Sequence, residues 1–237
     1  MNSGFKTGLI LGVSLIIAAV IFGSYFYRAQ SPGQTITVVG AASQNFEADT
    51  VKWTLNIEED ILGENLSAGY KRLKAVRERI FSLLETKGIG RDCVTMKPVQ
   101  VYKEYDYTAE ARIFRGYRFQ QTLYVITDQV DMVEKMASDP MELLNSGTIN
   151  SHLEYFYSGL DELKKELVGA ATKNARERAE KMVEDTDVQV GKIISVRSGV
   201  FQITEPNSTR VEAAGIHDTS TRQQQIRVTA HATFTLK

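Results

Sequence analysis

The side chains able to do chemistry are few and scattered. Three histidines are present, His152, His217 and His231. None stands in an H-x-H, H-E-x-x-H or H-x-x-E-H spacing that would set two ligands on one face of an element, and an isolated, exposed imidazole is the plain reading of each. No G-x-S-x-G turn raises a serine nucleophile, and neither a G-x-x-x-x-G-K-[ST] phosphate loop nor a G-x-G-x-x-G fingerprint occurs; Gly191-Lys192 lacks the upstream glycine. Glu58, Glu59 and Asp60 are consecutive acids of the kind that holds a hard cation. At a strand end ahead of a helix, however, such acids equally complement a helix dipole or stay solvated. The single cysteine, Cys93, has Arg91 and Asp92 beside it, so it is read either as a packed thiol or as a sensor whose reactivity its charged neighbours tune. Tyr102, Tyr105, Tyr107 and Tyr117 fall near one hairpin end, where they serve as a stacking platform for carbohydrate or peptide, or as a cover for a sheet edge or subunit contact. Asn65-Leu66-Ser67 and Asn207-Ser208-Thr209 match glycan acceptors, which matter only in a eukaryotic secretory route. These residues assign no catalytic, cofactor-binding or metal-ligating set, and the chain is expected not to be an enzyme. The enzymatic alternative is a hydrolase using scattered acids with His152 or His217.

The elements that must position these side chains follow from periodicity. Thr35 to Ile57 reads as two alternating strands, with a turn or bulge in the Gly40 to Asp49 region. Glu64 to Lys87 carries Leu66, Tyr70, Leu73, Ile80 and Leu84 at helical intervals, and Gly88 stands where a left-handed C-cap belongs. Val94 to Tyr105 and Ile113 to Thr127 read as a hairpin around a loop at Asp106 to Arg112; in its second strand Tyr117, Phe119, Gln121, Leu123 and Val125 share the apolar face. Asp128 is placed to N-cap a short helix that ends before Pro140. A strand spans Thr148 to Tyr157, and a long helix follows from the capping-box-like SGLD at Ser158 to about Asp185. Its alanine stripe, Ala171, Ala175 and neighbours, permits close approach to a sheet or helix. Strands at Val188 to Ile203 and Gln224 to Leu236 flank an irregular, mobile stretch from Glu205 to Arg222. The class is α+β, a largely antiparallel sheet packed by helices.

With 28 Lys plus Arg against 29 Asp plus Glu in 237 residues, the formal net charge is −1, which excludes a dedicated nucleic-acid binder. An apolar fraction of 43% with only 4 Pro describes a packed protein, and one cysteine excludes an intrachain disulfide framework. Residues 8–26 lack any charge and, as a helix, match the hydrocarbon thickness of a bilayer. The competing reading is a cleaved signal peptide. Against it, the segment exits through Tyr25, Phe26, Tyr27 and Arg28 without a small-x-small cleavage pattern. The expectation is therefore an N-terminal transmembrane helix over 1–28, a polar linker over 29–34 and one domain over 35–237. Its N-terminus lies inside and its bulk outside the inner (plasma) membrane. Without Lys6 and Arg28, 26 basic residues face 29 acidic ones, a charge of −3 that gives no attraction to anionic lipid.

Several phrases in order resemble the SIMPL domain family, which includes the YggE-like and periplasmic immunogenic proteins of bacteria. They are ITVVGAASQNFEADTVKWTLNI from Ile36, ETKGIGRDCVTM, RGYRFQQTLYVITD, AATKNARERAEKM with VGKIISV, and the final strand IRVTAHATFTL. The chain departs from the family where Asp185, Thr186 and Asp187 replace a frequent glycine turn, and where the export signal reads as a retained anchor. The resemblance implies an exported protein without a catalytic centre or cofactor. It further implies relatives that form ring-like homo-oligomers and are linked to envelope or oxidative-stress defence, so a homo-oligomer is the expected partner. No ligand is implied.

Overall fold

The computed structural model describes residues 3–30, 34–107, 111–139 and 148–237, with backbone alone for 3–7, 10, 27–30 and 148. Most of the expected linker turn (Pro32, Gly33), the tip of the hairpin loop (108–110) and Pro140 lie outside these. The chain forms α1 (Ser3–Gln30), β1 (Thr35–Glu47), β2 (Thr50–Leu62), α2 (Leu66–Thr86), β3 (Val94–Met96), β4 (Gln100–Tyr107), β5 (Arg112–Thr127) and α3 (Val130–Ser138). β6 (Thr148–Phe156), α4 (Leu160–Val183), β7 (Val190–Ser198), β8 (Gln202–Thr204), β9 (Ile216–His217) and β10 (Gln223–Leu236) complete it. The α+β class with largely antiparallel pairing is as expected.

Two compact units are formed, the first from Met1–Ala42, Val168–Gly199 and Thr229–Lys237, the second from Ser43–Leu167 and Val200–Val228. In the second unit β5 and β6 flank β2, and β3 and β4 lie end to end on the far edge of β5, all antiparallel. Alternation along β2 and β5 sends Trp53, Leu55, Ile57, Phe119, Leu123 and Val125 to one face, where Leu73, Val76, Ile80 and Leu84 of α2 and Val130, Val133 and Met136 of α3 close the core. Asn65 Oδ1 accepts from Ala68 N at 3.0 Å and caps α2, and Gly88 leaves it at φ +85°.

In the first unit β10 antiparallel to β7 forms a sheet against which the C-terminal part of α4 lies. Ala171, Ala175 and Ala179 are fully buried there, as the alanine stripe predicts. Gly40 of β1 completes that approach: a β-carbon on it would sit 2.1 Å from Ala171 O and 2.3 Å from Ala175 N. Helix α1 runs for 28 residues, with Leu11, Ile17 and Phe22 exposed. Among the described residues no helix is long and apolar enough to cross a membrane. The transmembrane expectation is therefore not supported by these residues.

The break expected between Gly40 and Asp49 falls at Ala48-Asp49, between β1 and β2. Several other local expectations are corrected. Asp128 does not cap α3: the cap position is Gln129, whose N–H donates to Thr127 Oγ1. Ser158 N and Oγ donate to Asp49, a carboxylate distant in sequence, in place of a local capping box. The strand expected over Val94 to Tyr105 breaks at Lys97–Val99, where Pro98 has no N–H for the ladder. The stretch read as irregular carries β9, parallel to β8, and Glu212, which exchanges hydrogen bonds with the Gln202 amide.

Candidate functional site

Opposite the core, the second unit's sheet shows a polar face whose composition follows from the same alternation. Thr122 stands across from Asn56, and Asn56 from Asn150; in the next row Gln100 faces Gln120, and Gln120 faces Glu58. Thr122 Oγ1 donates to Asn56 Oδ1 at 2.8 Å, and Gln120 Nε2 donates to Glu58 Oε1 at 2.8 Å. A cavity of about 200 Å³ opens among these side chains and Lys97, Pro98 and Gln121, beside the break between β3 and β4. Gln121 belongs to the core face and is 5% exposed. Its Nε2 donates to Lys97 O at 2.9 Å, while its Oε1 is buried without a partner. Tyrosines stand in the flanking rows. Tyr102 donates to Gln100 Oε1 at 3.0 Å, and the Tyr124 ring lies 5.2 Å from each of the Lys52 and Lys97 ammonium groups.

A second concentration of polar groups surrounds Arg222. Its Nη2 meets Glu47 Oε1 at 2.7 Å, and its Nη1 meets both Asp131 and, at 3.1 Å, Glu134 Oε2. Hydrogen bonds donated to these carboxylates, that to Asp131 foremost, hold the guanidinium protonated well beyond its ordinary range. Tyr155 donates to Glu134 Oε1 at 2.8 Å, and burial together with that carboxylate pushes its phenol up to about 12. A groove of about 680 Å³, lined by Glu47, Asp49, Asp128, Asp131 and Arg222, lies alongside. The arrangement is an ion-pair clamp joining the end of β1, α3 and the segment before β10. Its guanidinium and its phenol both stay protonated near neutral pH.

The residues singled out in the sequence are placed apart. His152 stands opposite Thr54 on β6, His217 is on β9, and His231 on β10 lines an open groove with Ser195, Arg197 and Thr233. Glu58, Glu59 and Asp60 lie near the C-terminal end of β2, ahead of α2, as expected. Glu58 accepts from Gln120, and Asp60 pairs with Arg118 at 3.0 Å. Among the described residues no three His, Cys, Asp or Glu are grouped to hold a metal ion. Cys93 is a free, half-buried thiol in a 3-10 turn, packed against the core. Of the four tyrosines, Tyr105 and Tyr117 stack edge-on against Phe114, and Arg112 lies 3.7 Å over Tyr105 and 5.7 Å from Tyr107. Tyr102 belongs instead to the polar face.

Two antiparallel-rich α+β units with a polar sheet face, and no assembled nucleophile or metal set among the described residues, define the class. The family model described as SIMPL, a protein of unknown function (DUF541), matches residues 36–235, and the chain belongs to that family. No curated protein matches the chain at a significant level.

Proposed function

We propose that the chain is a membrane-anchored protein of the bacterial envelope that works by assembling with copies of itself, in a structural or stress-defence role and not as an enzyme. The observation that carries this reading is β7. Among the described residues it pairs with β10 along one edge only, and every residue from Lys192 to Ser198 is exposed, Ile193, Ile194 and Val196 at 44%, 56% and 44%. A strand with an unpaired row of N–H and C=O groups and apolar side chains is a template for another strand. Only Lys192 and Arg197 oppose such pairing by charge. Closed homo-oligomers use surfaces of this kind. Helix α1 supports the anchor: its apolar side chains, Leu15 at 73% among them, are left to their surroundings, and lipid is the solvent that suits them. On this reading the N-terminus lies in the cytoplasm and the family-matched part outside.

Light scattering on the full chain in detergent, beside the fragment from Ala29, tests this reading. The expected result is a discrete oligomer that the double substitution Ile194→Lys, Val196→Lys dissociates. A monomer at high concentration in both preparations overturns it.

A further inference from the structure

We propose that the cavity on the polar face of the β4, β5, β2 and β6 strands is a binding site for a neutral saccharide. The inference stands independently of the anchor and of assembly. Its walls are Asn56, Gln100, Gln120, Gln121, Thr122 and Asn150, of which Asn56, Gln120 and Thr122 are held in place by cross-strand hydrogen bonds. Each side-chain amide presents donor and acceptor in one plane, the pairing that vicinal hydroxyl groups or an acetamido substituent require. The two ionic groups at the rim do not select a charged ligand. The Glu58 carboxylate already accepts from Gln120, the Lys97 ammonium lies over the Tyr124 ring, and their charges are opposite. A hard cation would find one carboxylate there, too few for a coordination sphere.

Two further features point to a sugar. At about 200 Å³ the cavity is smaller than a drug-sized pocket and suits one pyranose ring. By register, Tyr124 lies two residues beyond Thr122 on β5, and Tyr102 two residues beyond Gln100 on β4, so the rows flanking the amides on the same face each carry an aromatic side chain, the kind of group on which the apolar face of a longer saccharide rests.

The test is calorimetric titration of the full chain, in a detergent with no sugar headgroup, with chitotriose and in parallel maltotriose at 50 and 500 mM NaCl. Saturable binding of either trisaccharide is expected, with an affinity that changes less than about twofold with salt. Asn56→Ala and Asn150→Ala are each expected to weaken it by about tenfold, the loss of one directed hydrogen bond. Asn150 is exposed, and its truncation leaves the melting temperature unchanged, so that variant reports binding alone. Absence of binding by both sugars, binding indifferent to both substitutions, or an affinity that falls steeply with salt overturns the proposal. The last outcome marks an anion held by Lys97.

Discussion

At Tyr155 two influences act in the same direction: burial disfavours the phenolate, and the Glu134 carboxylate accepting its proton repels one. The folded-state value near 12 lies above the ordinary 10. The stabilisation is therefore fully present below pH 10 and is lost as pH rises through 12. Wild type is expected to lose about 2 to 3 kcal/mol across that interval relative to Tyr155→Phe, whose stability lacks this component. Urea unfolding of both proteins at pH 9.5 and 12 measures the difference, and parallel slopes would refute it. Of these residues only Gln121 carried a sequence signal, as the one polar side chain among Phe119, Leu123 and Val125 on an alternating strand. Arg222 carried none. Its partners Glu47, Asp131 and Glu134 are far from it along the chain, and ion pairs between distant segments leave no periodic mark.

Helix α4 and strand β1 meet through a glycine and an alanine stripe, and each half of that contact needs the other. At Gly40 a methyl group would meet backbone atoms of Ala171 and Ala175, which cannot rotate away as a flexible side chain could. Gly40→Ala is expected to destabilise by about 2 kcal/mol or more, because strand and helix must separate. Gly169→Ala, on the same helix with nothing within 4 Å, is expected to stabilise by about 0.5 to 1 kcal/mol through helix propensity. Denaturant titration of the pair checks the contrast, and equal effects would refute the close-approach account. The alanine stripe was legible as a 3.6-residue pattern. The role of Gly40 was not: glycine in a β-rich run signals a turn as readily as a close approach, and which of them holds depends on the helix that arrives more than 120 residues later. Similarly, SGLD read as a local cap, yet Asp49 takes that place because a long-range carboxylate reaches the Ser158 N–H and hydroxyl.

For the whole chain, the family match begins at residue 36, so α1 precedes the matched part and the assembling surface proposed for β7 lies within it. If folded chains bind one another and unfolded chains do not, mass action makes thermal stability depend on concentration. The melting temperature of the full chain is expected to rise by a few degrees for each tenfold increase in protein, and the β7 double substitution removes the dependence; a concentration-independent transition in wild type refutes self-assembly. The sequence by itself determined the class, the long helices, the paired strands of the second unit and the family, because apolar periodicity and the order of local phrases are one-dimensional properties. Only the tertiary structure decided where β3 parts from β4, that Gln121 ends with a buried, unpartnered oxygen, that β9 pairs with β8, and that Arg222 gathers three acids. Each of these depends on register and on contacts between residues remote in the chain, which the spacing of neighbours does not encode.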